Sequence, residues 1–174
     1  MRHLKRINDT HGHAVGDQVI HVVADTLKAS CRDVGTVGRY GGEEFVVFLP
    51  GLDADAAVEV AERVRIAVLA LVGSGRLPIE RLSSSFGVSD LAGGAKDGAA
   101  LVDHADQALY ASKESGRNRV SVHGRVPVPP VADAVVSPSN DDLSRAKLVE
   151  LEMLVRQRER DRKMESTNKD IFIS

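Results

Sequence analysis

The chain has 174 residues, 43% hydrophobic and 28% charged, with a net charge of −2; this is the profile of one folded domain, or a domain with a tail, and not of a low-complexity chain. So small a charge supplies no global basic field to draw in nucleic acid or an anionic membrane. The longest apolar run, residues 66–72, is far short of the ~20 residues that span a bilayer, no signal-peptide pattern opens the chain, and the lone Cys31 cannot form an internal disulfide, which suits a reducing cytoplasm.

In chain order, residues 5–17 read as a turn-rich loop, because Asn, Asp and Gly all favour turns. Asp17 then opens a helix with the apolar stripe Val19, Ile20, Val23 and Leu27. Residues 35–40 and 45–49 read as two strands around a Gly41-Gly42 turn, and Phe-Val-Val-Phe-Leu is apolar on both faces, as a strand in mid-sheet would be. Asp53 or Asp55 caps a helix through Val72, with Ala57, Val60, Ala61, Val64, Val68 and Leu71 on one face. Residues 82–88 form a short strand, residues 99–113 a helix with Gly116 placed for a left-handed cap, and residues 119–123 a last strand. The order α-β-β-α-β-α-β describes an α+β sandwich over residues 1–124 that lacks the strand expected to open it. Residues 125–140 hold four of the chain's six prolines and read as an extended linker. Residues 141–174 are charge-rich and read as a helical tail, capped by Asp141 or Asp142.

Three segments carry candidate chemistry. In Arg39-Tyr-Gly-Gly-Glu-Glu-Phe45, two glycines let a ligand approach bare backbone and two carboxylates follow. Mg²⁺ usually takes one or two carboxylates and completes its octahedron with phosphate oxygens and water. A plain hairpin with a solvated acidic tip accounts for the same letters. In residues 5–17, Asn8 and Asp17 offer an amide and a carboxylate able to read a guanine edge; taken alone, they are more simply a loop with a helix cap. His11, His13 and His21 suggest a metal site, but nothing fixes a fourth ligand. In residues 105–118, Lys113 and Arg117 flank a helix end, where they can bind phosphates, cap the helix, or both.

Together and in this order, Ile-Asn-Asp-x-x-Gly-His-x-x-Gly-Asp, Arg-Tyr-Gly-Gly-Glu-Glu-Phe and Ala-Asp-x-Ala-Leu-Tyr-x-x-Lys-x-x-Gly-Arg-Asn resemble the GGDEF family of diguanylate cyclases, in its GGEEF variant. Leu49-Pro50, Ala61-Glu62 with Arg65, and Ser85-Phe86-Gly87 also match. The resemblance implies a ferredoxin-like, nucleotidyl-cyclase or palm-like sandwich with a central antiparallel sheet, here without its first strand and followed by a C-terminal helix. It implies a homodimer that joins two GTP into cyclic di-GMP with Mg²⁺ or Mn²⁺, acting in bacterial second-messenger signalling. Carried over by position, Glu43 is the metal-binding acid and Glu44 the second acid. Gly41 and Gly42 lie against the phosphates, Asn8 and Asp17 read guanine, Lys113 and Arg117 hold phosphates, and Lys5 supports the phosphates or the fold.

The departures are equally specific. Counting back from Lys5 puts Arg2 where the family motif has its second Asp, and the first Asp, a metal ligand, falls before Met1. Arg32 matches the Arg of the product-inhibition site, but Gly35 stands where its acid belongs, so restoring a carboxylate at position 35 is expected to restore inhibition. The alternative expectation is a catalytically silent GTP-binding or dimerisation module.

Overall fold

The computed structural model describes residues 3–126 and 171–173. The expected linker beyond Val126, most of the expected tail, and Arg2 lie outside the described residues.

The first segment departs from the expected loop. It folds as α1 (His3–His11) and α2 (His13–Cys31), broken only at Gly12. Gly12 has φ +83°, a left-handed conformation that ends one helix and starts the next, and its N–H donates to the Asn8 carbonyl at 2.8 Å. Asn and Asp lower helix propensity only slightly, and packing overrides it. Ile7 on α1 and Val19 and Val22 on α2 bury together with Leu71, Leu77 and Ile79.

Strands β1 (Thr36–Gly41) and β2 (Glu44–Phe48) form the expected antiparallel hairpin. Helix α3 (Ala54–Leu69) is capped by Asp53, whose carboxylate accepts from the Ala56 N–H at 2.9 Å. Its expected apolar face is buried from Ala57 to Val68. Strand β3 (Phe86–Asp90) starts later than the expected Leu82, because its ladder begins only at Phe86, whose N–H donates to the Arg119 carbonyl at 2.9 Å. Helix α4 (Gly98–Glu114), capped by Asp97, and strand β4 (Val120–Val122) follow.

Strand β5 (Ile171–Ile173) departs from the helical tail expected to run to residue 174. Ile-Phe-Ile is β-branched and aromatic, and such residues fit a pleated surface better than a helix. The strand order is β1-β2-β5-β3-β4. No strand precedes α1 among the described residues, and β5 takes the central position, antiparallel to both β2 and β3. Strand β4 runs parallel to β3 at the far edge.

The core lies between α2, α3 and one face of the sheet, where Leu27, Val64, Val47 and Val88 meet. Phe86 and Val88 point into it, so Gly87 between them points the other way. A Cβ on Gly87 would overlap the backbone of Ala105 and Leu109, which places α4 hard against the opposite face. Ser112 fastens this contact by donating to the Phe86 carbonyl at 2.8 Å. The result is an α+β sandwich with helices on both faces of a five-stranded sheet.

Candidate functional site

The site is built around the β1–β2 turn. Gly42 has φ +51°, which glycine adopts without strain. Arg39 locks the turn by donating from Nε and Nη2 to the Gly42 carbonyl, at 3.0 and 2.6 Å. Gly41 has neither a positive φ nor any heavy atom within 4 Å of an added Cβ, so nothing inside the fold requires glycine there. The open backbone suits the close approach of a ligand.

Glu43 and Glu44 follow, both half-buried. Lys113, on the last turn of α4, reaches across to Glu44 with Nζ 3.1 Å from Oε1. Arg117 lies just beyond α4. Glu43, Glu44, Lys113 and Arg117 all line one cavity of about 410 Å³. Two cations and two acids therefore share its lining. Leu4, Ile7, Val19 and Val23 of α1 and α2 give it an apolar wall. Ser84 also lines it, and its buried Oγ has no hydrogen-bond partner.

Asn8 and Asp17 do not line that cavity. The Asn8 side chain packs on Gly16, where a Cβ would overlap its Oδ1, and Asp17 is the next residue. Asn8 Oδ1 is buried without a hydrogen-bond partner, while Asp17 is exposed. Asp17 sits inside α2, not at its N-cap, so capping does not account for it. Lys5 is exposed on α1 and does not line the cavity.

His11, His13 and His21 are exposed, and no group of three or more metal-capable side chains occurs among the described residues. The carboxylates that line the cavity are Glu43 and Glu44. Two carboxylates beside open backbone and two cations fit the way Mg²⁺ is usually held, by one or two carboxylates together with phosphate oxygens. Arg32 is exposed at the end of α2. Gly35 lies against Phe48 and Leu49, where a Cβ would overlap the Phe48 carbonyl and the Leu49 side chain. The glycine there meets a packing constraint, and a carboxylate at position 35 has no room.

Arg39 is a site residue whose role the sequence did not disclose, although it opens the signature segment. Arg65 is another. Its letter matched, but nothing in the letters showed that it would be buried beside the Arg117 turn.

The family description "Diguanylate cyclase, GGDEF domain" matches residues 1–119. The chain is 43% identical to Diguanylate cyclase A of Treponema denticola over 120 residues, covering 68% of this chain and 32% of that protein. It is 41% identical to the response regulator PleD of Caulobacter vibrioides over 119 residues, covering 67% of this chain and 26% of that protein. It thus spans about a third or less of the length of these relatives. Among solved structures, the active GGEEF domain of a diguanylate cyclase from Vibrio cholerae superposes with a TM-score of 0.63 at 32% identity, covering 72% of this chain and 79% of that one. The GGDEF domain of DgcB from Caulobacter crescentus, solved with c-di-GMP, gives 0.63 at 35% identity, covering 71% and 74%.

Proposed function

The chain belongs to the GGDEF family, and from that membership we propose that it is a diguanylate cyclase domain, condensing two GTP into cyclic di-GMP across a homodimer. The observation that carries this reading is the convergence of Glu43, Glu44, Lys113 and Arg117 on one cavity beside the open Gly41-Gly42 backbone.

In this reading each subunit holds one GTP. The 3′-hydroxyl of one attacks the α-phosphate of the other, a new P–O bond forms, and the bond to pyrophosphate breaks. Repetition closes the ring and releases two pyrophosphates, with each hydroxyl proton passing to solvent. Lys113 and Arg117 bind the triphosphate and offset charge on the departing pyrophosphate. Gly41 and Gly42 let phosphate oxygens reach backbone N–H groups. Glu43 and Glu44 would hold Mg²⁺ or Mn²⁺, which when bound acidifies the hydroxyl and neutralises phosphate charge. Asp17 accepts from the guanine N1–H and N2–H₂, and Asn8 completes the base contact. No helix among the described residues is long and apolar enough to cross a membrane. With the buried free Cys31, this fits a cytoplasmic enzyme.

A second reading, GTP binding or dimerisation without turnover, is favoured by one observation. The carboxylates facing the cavity come from a single hairpin.

Nucleotide titration and product assay test both. The expected result is tighter binding of GTP than ATP, with Asp17→Ala weakening GTP at least tenfold and ATP little, because unpaired polar groups drive such discrimination. Equal losses for both nucleotides would refute guanine reading. GTP binding without cyclic di-GMP formation would select the silent module.

A further inference from the structure

Behind the cavity a line of hydrogen bonds runs from α3 to the turn after α4. Glu62 Oε2 accepts from Arg65 Nε at 2.8 Å, and Asn118 Oδ1 accepts from Arg65 Nη1 at 3.1 Å. The Asn118 N–H donates to Ser85 Oγ at 3.1 Å. We propose that Arg65 is a positioning residue: it pins the Arg117–Asn118 turn and so aims Arg117 at bound phosphate. The proposal rests on the reading that a triphosphate docks at Lys113 and Arg117.

Arg117 and Asn118 have φ of +64° and +49°. Two successive non-glycine residues in the left-handed region are strained, and such strain persists only where the surroundings over-determine it. Asn tolerates this region well; Arg does not. Asn118 is gripped through both its amide N–H and its side chain, and the Arg117 N–H donates to the Ser112 carbonyl at 2.9 Å. Holding Asn118 therefore holds its strained neighbour.

The choice of residue at position 65 supports the same conclusion. Its side chain is 2% exposed. The α3 positions on either side of it along the buried face, Ala61, Val64 and Val68, are all apolar. Burying a guanidinium costs energy unless its donors are met, and a well-packed apolar residue is often no worse for stability. What an apolar residue cannot do is span Glu62 and Asn118 with a rigid fork of donors.

The test is a titration of the free chain with inorganic tripolyphosphate, GTP and guanosine. Arg65→Met should weaken tripolyphosphate and GTP about tenfold, as for a lost charged contact, and leave guanosine unchanged. In an Arg117→Ala background, Arg65→Met should add no further loss, because the two act through one contact. Arg65→Lys keeps the charge without the fork and should behave like Arg65→Met. Unchanged tripolyphosphate affinity in Arg65→Met, or losses that multiply in the double variant, would overturn the proposal. If Arg65→Met does not fold, Asn118→Gly removes the acceptor while keeping left-handed freedom, and the same loss is expected. Trypsin cleavage after Arg117 supplies a readout without ligand: it should be faster in Arg65→Met than in the wild type below the melting transition. A wild type that binds neither phosphate ligand overturns the functional reading alone. The proteolysis then decides the positioning role, with equal cleavage rates overturning it.

Discussion

Lys113 Nζ lies 3.1 Å from Glu44 Oε1, joining the end of α4 to the first residue of β2 at the cavity lining. The two side chains are 34% and 42% exposed, so water screens the pair. Such pairs contribute about 0–1 kcal/mol to stability. Lys113→Ala should therefore shift the melting transition little while weakening GTP about tenfold, since a phosphate offers a stronger charged partner. Parallel melting curves and calorimetric titrations check this. A stability loss with no change in affinity would make Lys113 a helix-end cation only.

The two signature glycines separate under alanine substitution. Gly42→Ala forces a side chain into φ +51° and should cost about 1–2 kcal/mol, seen as a lower urea midpoint. Gly41→Ala meets nothing within 4 Å and should leave the midpoint unchanged. Its effect is expected in ligand binding, where the added methyl would intrude if phosphate docks on this backbone. Full GTP affinity in Gly41→Ala would show that phosphates do not lie there.

Gly35→Asp should destabilise the chain by about 1–3 kcal/mol, the usual cost of overpacking. The Cβ alone overlaps the Phe48 carbonyl. The resemblance suggested that a carboxylate here would rebuild a product site with Arg32, and the packing opposes it. A folded Gly35→Asp variant of wild-type stability that binds cyclic di-GMP would contradict this.

How much was legible in the sequence depended on the range of the interaction. The hairpin, α3 with its Asp53 cap, and the body of α4 follow from local rules. Residues 5–17 fold as helix around Gly12 and not as the expected loop, because turn-favouring residues dominate the local signal while Ile7 and Val19 supply a nonlocal one. Gly87 looked like part of a motif, and only its approach to Ala105 and Leu109 explains it. The acids and cations of the site could be named singly. Their convergence depends on α4 packing against the sheet, which no spacing encodes.

Cys31 is 1% exposed, and burial raises its thiol pKa above the ordinary value, opposed by the nearby Arg63 charge. Alkylation requires thiolate and access, and the folded chain supplies little of either. Iodoacetamide near neutral pH should label Cys31 at a rate set by unfolding, and labelling should become fast in denaturant. Rapid labelling of the folded chain would place the thiol at the surface.

Strand β5 is the sole ladder between the β1–β2 hairpin and the β3–β4 pair among the described residues. It pairs with Val47 and Phe48 on one side and with Val88, Ser89 and Asp90 on the other. Removing it would bare backbone groups on two interior strands, and unpaired groups at a sheet edge are costly when buried. The adjoining core residues Val47 and Val88 are 2% and 0% exposed, so their protection depends on the sheet staying closed. Ending the chain at Asn168 should therefore lower stability by about 3–5 kcal/mol, counting a handful of ladder bonds at about 1 kcal/mol each. The urea midpoint measures the loss. A peptide of residues 168–174 added in excess should raise the midpoint of the shortened chain with its concentration, as any ligand of the folded state does. Truncation that leaves the midpoint unchanged would show that the two halves of the sheet hold together without β5.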